Sequence, residues 1–317
     1  MRLKLWEVLG ANASFVFRGL GTGVATKALV YASAAFLSRS VALGLMLPLI
    51  LRDVVTALSS TPPDSRLLNQ GMVSLAAVAV TVSATEWLLR PFWTYMARGI
   101  VSIKKRLVER EIAGRGEGGD VVGRIVSDVD FVIWNSSGGF TSMLPNFLMG
   151  AASLAAMLSL SPAIGLLGAS IIPPFIILTE IYSRRVEHAR NIERSYYSQN
   201  IHFAERYLSG EVGGLPQFRS ALDRWLTGVV RLIHYDRIFW FSGLVVSTTL
   251  PLGVLWLGLA ELGQGRIGVG AIAGSLYASV NYSMSLLNGF WGLCMLGQSL
   301  APIKRVAMIA QERARTP

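Results

Sequence analysis

Apolar positions along the chain gather in long blocks rather than alternating. Runs dominated by Leu, Val, Ile, Ala and Phe fall at about 28–51, 70–97, 133–158, 163–183, 239–260 and 270–295. A hydrocarbon layer takes about 20 residues of helix, so each block is long enough to cross one. The segments between them are of two kinds. Three are short: Thr61–Ser65 (TPPDS), Ser161–Pro162, and Glu261–Gly268 (ELGQGRIG). Two are long and keep apolar residues at three- and four-residue spacings, the period of a helix.

The longest, Ser183–Arg237, has two proline-free arms on either side of Gly210, Gly213, Gly214 and Pro216. Each arm predicts about 30–40 Å of helix, at 1.5 Å per residue. The arms continue out of the fourth and fifth blocks, so two membrane helices run on as one hairpin with a broken tip. The second block behaves similarly: Leu68–Ile112 predicts an unbroken helix of about 65 Å, twice the hydrocarbon thickness. It stops at AGRGEGGD, where Gly114, Gly116, Gly118 and Gly119 disfavour helix. A third helix starts near Asp120. The sixth block extends through GQSLAPIKRVAMIAQERA, and residues 3–16 predict a short interfacial helix leading into a flexible elbow at Gly19–Lys27. The reading is an all-α polytopic membrane protein: six transmembrane helices with long cytoplasmic helical extensions. Residues 1–27 form an N-terminal interfacial elbow, 28–310 the six-helix domain, and 311–317 a tail.

Composition agrees, with 52% apolar and 15% charged residues and a mean hydropathy of +0.48. The net charge of +10 could suggest nucleic acid, but its distribution explains it otherwise. Twenty-four Lys and Arg residues lie in the N-terminal arm, the two long connections and the C-terminal arm; Arg52, Arg66 and Arg266 alone lie opposite. The positive-inside rule then places both termini and both stalks in the cytoplasm, in a multi-pass protein of the cell membrane. No nucleic acid partner is expected.

Candidate chemistry is sparse. Cys294 is the only cysteine, and His188, His202 and His234 are too far apart on one hairpin to share a metal, so no metal site is expected. Nothing at the N-terminus reads as a cleavable signal. No acid and nucleophile set converges at one depth, and no catalytic residue is assigned. Arg39, Glu86 and Arg90 form an intramembrane charge cluster: Glu86 and Arg90 share a helix face at i, i+4, and Arg39 lies at a similar depth. Self-neutralisation and substrate binding both remain open for it. Trp240, Tyr277, Asn281 and Asn288 are candidates for a cavity wall, with helix packing as the other reading.

Several motifs then carry a resemblance. LPLILRDVV (Leu47–Val55), GGDVVGRIVSDVD (Gly118–Asp130), SPAIGLLGASIIPP (Ser161–Pro174), GRIGVG (Gly265–Gly270) and the pair Ser299 and Arg305 fall in order along nearly the whole chain. The chain resembles the transmembrane domain of ABC transporters with the type I exporter (type IV) fold. It departs from that pattern at the second tip, where the usual Glu before a Gly-Ile is missing, and at Ala271, where an acid is usual. The resemblance implies a homo- or heterodimer in the lipid bilayer, helices four and five crossing to the partner, and alternating access that moves a hydrophobic or amphipathic substrate outward. It also implies that the tips dock on an ATPase. Glu111, Arg115, Glu117 and Gly119 in one tip, and Leu208, Glu211, Leu215 and Phe218 in the other, are the candidate coupling residues. A phosphate loop needs Gly-Lys-Ser/Thr, and none of Lys4, Lys27, Lys104, Lys105 and Lys304 follows a glycine. The chain itself is therefore expected to be no enzyme and to hold no cofactor. ATP and Mg²⁺ belong to a separate ATPase subunit, unless the ATPase has been lost. A non-transporting membrane anchor or sensor that keeps this fold is the alternative, and a membrane-embedded enzyme a lesser one.

Overall fold

The computed structural model describes residues 5–114, 129–210, 214–300 and 302–303. Among them every regular element is helical: α1 (Leu5–Leu20), α2 (Thr22–Ser40), a six-residue π-helical turn (Val41–Met46), α3 (Leu47–Ser59), α4 (Ser65–Gly114), α5 (Val129–Leu160), α6 (Pro162–Ala169), α7 (Ile172–Leu208), α8 (Gly214–Gly263) and α9 (Val269–Gln298). Five continuous stretches are long and apolar enough to cross a membrane: Gly23–Ser59, Ser65–Arg106, Val129–Leu160, Pro162–Leu208 and Leu215–Gly263.

The sixth expected crossing, α9, is thirty residues long but is not among those five. Its apolar character is diluted by Asn281, Asn288 and the run Ser275, Ser279, Ser283 and Ser285. The packing supplies the reason. Seventeen of its residues are buried, because α9 is the axis on which α3, α5, α7 and α8 pack. A helix enclosed by other helices has no need of a lipid-facing apolar surface, and its hydroxyls serve as interhelical contacts. Ser283 Oγ donates to the Ser247 carbonyl (3.1 Å) and Ser247 Oγ donates back to the Ser283 carbonyl (3.3 Å), pairing α9 with α8.

Small residues set how closely α9 is approached. A Cβ on Gly292 would lie 2.6 Å from the Met143 nitrogen and 2.8 Å from the Gly139 carbonyl oxygen of α5. Gly270 and Gly274, four apart, bring the start of α9 equally close to the backbone of Arg52 and Pro48. These are contacts between backbones, which only small residues permit. The aromatic core beside them includes Phe175 stacked on Phe290 (5.8 Å) and Phe147 edge-on to Phe290 (5.2 Å).

Three local features differ from the sequence reading. The elbow is one residue: Gly21, at φ 80°, joins α1 to α2, and helix resumes at Thr22. Gly19–Lys27 is therefore mostly helix, since a single glycine with positive φ is enough to turn the chain. Second, α1 is a clasp on the bundle. Asn12 is fully buried, donates to the Leu296 carbonyl (3.0 Å), and accepts from Ser136 Oγ (2.6 Å), joining α1 to α9 and α5. Third, the first span contains the π-helical turn just before Pro48. A proline removes the N–H that would bond four residues back, and a widened turn accommodates the loss. Gly44 in that turn lets Met149 and Ala152 of α5 approach.

The membrane-side turns are capped by their own sequence. Ser161 caps α6, with Pro162 at its first position, and its hydroxyl donates to Glu261 Oε2 at 2.6 Å. Both residues are buried, so the turn between α5 and α6 is tied to the end of α8.

Candidate functional site: the stalk junction and the α2/α4 seam

Helices α7 and α8 pack along each other from the bundle to the Gly210 break, where φ is 85°. Where this stalk leaves the bundle, a chain of polar groups binds it to the end of α9. Tyr182 Oη donates to Asp236 Oδ1 (2.5 Å) and accepts from Gln298 Nε2 (3.0 Å). Arg190 Nη2 donates to Gln298 Oε1 (2.8 Å), and its Nη1 lies 3.5 Å from Glu193 Oε2. Trp225 Nε1 donates to Glu193 Oε1 (2.9 Å). Tyr182, Glu193 and Gln298 are all buried. Groups in such a network hold one geometry, because each lost bond leaves a buried partner unsatisfied.

An aromatic plate backs the network. Tyr182, Phe239, Trp240 and Trp291 contact one another with ring centroids 4.9–6.3 Å apart. Farther along the stalk, the Arg190 guanidinium lies 5.5 Å from the Phe131 ring of α5. The start of the stalk, as far as Arg190, is thus tied to this chain's own α9. None of this was legible beforehand: Tyr182 and Gln298 are 116 residues apart.

The tips present themselves differently. Leu208 ends α7 and is 83% exposed. Leu215 and Phe218, on the first turns of α8, are partly buried. Glu111 lies in the last turn of α4. Arg115, Glu117, Gly119 and Glu211 lie outside the described residues, as does Arg305. From the adjoining motif Asp130 is described, and it pairs with Lys104 Nζ at 2.7 Å, joining α4 to the first turn of α5.

The cavity candidates are dispersed into helix contacts. Trp240 lies in the aromatic plate, 5.5 Å from Trp291. Asn281 donates to the Leu43 carbonyl (3.1 Å) and Ser153 Oγ (3.2 Å). Asn288 donates within its own helix to Met284, while its carbonyl accepts from Ser142 Oγ. Tyr277 is partly buried.

Two open grooves among the described residues lie along the seam between α2/α3 and α4. Its floor is Ala28, Ala32, Ala35 and Phe36 against Leu89, Phe92 and Met96. One groove, of about 660 Å³, is lined by Gly23, Thr26, Lys27, Val30, Tyr31 and Tyr95. A second, of about 650 Å³, runs from Leu37 to Ile50 and from Ser74 to Thr81. Elsewhere on the same helix pair, Arg39 Nη1 meets Glu86 Oε1 at 2.8 Å, with side chains 40% and 64% exposed. Arg90 turns to Trp87, 6.0 Å from its ring.

The model of the family described as ABC transporter transmembrane region matches residues 33–211, from α2 to the tip between α7 and α8. The chain belongs to this family. No curated protein matches it. As an ABC transporter membrane component, it puts its paired helices, Lys104–Asp130 and the Ser161 cap within the matched region. The network at Gln298 joins that region to α8 and α9 beyond it.

Proposed function

We propose that this chain is the membrane subunit of an ABC exporter, dimeric, driven by an ATPase on another polypeptide, and that it moves a hydrophobic or amphipathic substrate by alternating access. The observation that carries the reading is the family match combined with helices that outrun the membrane. At 50 residues α4 and α8 each extend about 75 Å, more than twice a hydrocarbon layer. Such stalks transmit force if their tips are gripped by a soluble motor, and the exposed Leu208 and the neighbouring Leu215 and Phe218 provide an apolar grip.

The remaining parts follow from the sequence. Without a lysine after glycine, the chain has no phosphate loop, so ATP and Mg²⁺ are held by the partner and the chain alone is no ATPase. The basic stalks and arms set both termini in the cytoplasm. In this arrangement α9 is the sixth crossing, shielded from lipid by its neighbours. The α7/α8 stalk reaches the ATPase beneath the partner subunit.

Affinity purification of the tagged chain from its own cells is expected to bring down a nucleotide-binding subunit, and the purified chain alone to show no ATP turnover. ATP hydrolysis by the isolated polypeptide would overturn the division of labour. Cysteine pairs placed in the stalks should crosslink two copies, and an active monomer would overturn the dimer.

A further inference from the structure

Val8, Met143 and Leu296 form a buried apolar cluster where α1, α5 and α9 meet, and Asn12 is completely enclosed beside it. A leucine of similar size would fill that place with no polar requirement, so the amide serves geometry rather than stability. Its groups are all used. Nδ2 donates to the Val8 carbonyl (2.9 Å) and the Leu296 carbonyl (3.0 Å), and Oδ1 accepts from Ser136 Oγ (2.6 Å). A buried asparagine satisfied in this way fixes register, because a slip along the helix leaves its amide unpaired among apolar groups. The carbonyl it holds belongs to the last turn of α9, where the Ser299 N–H donates to the same oxygen (3.2 Å). Two residues on is Gln298, which the stalk grips through Tyr182 (3.0 Å) and Arg190 (2.8 Å). Positions two apart on a helix face about 200° apart. The contacts follow that geometry, with Leu296 packed on Val8 of α1 and Gln298 bonded to α7. One turn of α9 is thus held from opposite sides, at Asn12 and at Gln298, both buried.

We propose that α1 is coupled to the α7/α8 stalk through this turn of α9, and that Asn12 is the positioning residue that carries the coupling. The purpose of the coupling rests on the transporter reading: drive that enters at the stalk reaches the N-terminal helix as well as the bundle. Apolar contacts alone would hold α1 against α9 and still let it slide. The amide removes that freedom, because a displaced Leu296 carbonyl either takes Asn12 with it or leaves a buried donor unpaired. Gln298 imposes the same choice on the other face, where its amide bonds Tyr182 and Arg190 at once. Ser136 extends the link to α5, so α1 and α5 follow α9 together. The aromatic plate offers no such path, since Tyr182, Phe239, Trp240 and Trp291 lie on α7, α8 and α9 and none lies on α1.

The test is a double-mutant cycle on the full chain in nanodiscs, read by amide hydrogen exchange. Gln298→Leu loosens the stalk side and should lower protection of peptides 5–20 by at least about fivefold, a modest coupling for residues of one network. Asn12→Leu should lower protection of peptides 176–190 by a similar factor, because coupling is reciprocal. In the Asn12→Leu background, Gln298→Leu should leave peptides 5–20 as they are. A merely structural Asn12 would lower the unfolding temperature and keep the exchange change within α1. Peptides 5–20 indifferent to Gln298→Leu, or responding equally with and without Asn12, would overturn the proposal. Should Asn12→Leu fail to fold, Tyr182→Phe tests the same path from the stalk with its apolar contacts kept, and unchanged peptides 5–20 would again overturn it. None of these measurements needs a partner. In the complex recovered by affinity purification, trapping with ATP and vanadate should change exchange of peptides 5–20 in the unaltered chain and not in Asn12→Leu. Failure to recruit an ATPase would overturn the transporter reading and leave the coupling standing. Additive variants in a chain that does recruit it would overturn the coupling alone.

Discussion

Replacing Tyr182 with Phe isolates the stalk junction. The ring stays, so its packing on Phe239 (4.9 Å) and Trp291 (5.7 Å) is retained. The hydroxyl goes, and with it the bonds to Asp236 and Gln298. Gln298 is 8% exposed, so its amide loses a partner that water cannot replace. Asp236 is only partly buried, and water can replace part of what it loses. A buried donor left unpaired costs about 1–3 kcal/mol, and a bond to a carboxylate is worth about 1.5–3 kcal/mol before solvent replaces some of it. The expected loss is about 2–4 kcal/mol, felt where α7, α8 and α9 meet. At tenfold per 1.4 kcal/mol, the opening constant of the stalk rises by about 30- to 800-fold. Amide hydrogen exchange of the full chain in nanodiscs reads this directly. Peptides spanning 176–190 and 228–240 should lose protection, while those of α2 and the C-terminal half of α5 should not. If protection at both junction peptides is unchanged, the network does not hold the stalk, and the aromatic plate alone must do so.

Further changes probe other levels. Leu215→Asp and Phe218→Asp should weaken ATPase recruitment in pull-downs while leaving membrane insertion and thermal stability nearly unchanged; normal recruitment by both would reduce the tips to turns. Gly292→Leu must push α9 away from the Met143 and Gly139 backbone, and overpacking there should cost at least about 1–3 kcal/mol, read as a lower unfolding temperature. Ser161→Ala removes a helix cap and the donor to buried Glu261, an expected loss of about 1–3 kcal/mol, and Glu261→Gln in that background should recover part of it.

The chain's local pattern determined its helices. Block length and hydropathy marked the spans, the three- and four-residue spacing carried α4, α7 and α8 beyond them, and glycine marked the break at Gly210. These are properties of a few consecutive residues, so the sequence displays them directly. The Arg39–Glu86 contact was partly visible too, since opposite charges at one depth on adjacent spans have few other partners. Arg90 was less so: at i+4 from Glu86 it could reach the carboxylate, yet one turn of helix also offers it Trp87. What only the tertiary structure decided depends on distant segments meeting. Asn12 could have faced water on an interfacial helix, but it joins α1 to Ser136 and Leu296. Asn281 and Asn288 were candidates for a cavity wall, and only the fold brings Leu43 and Ser153 to the first and Ser142 to the backbone of the second. The tertiary structure also left two open grooves at the seam of α2/α3 with α4. There, α4's most apolar stretch is 11% buried, against 28% or more for the other four apolar stretches, because α5 and α9 pack on each other and leave α4 at the margin. Hydropathy reads how apolar a helix is, but which of its faces is covered is fixed by the shape of what packs against it.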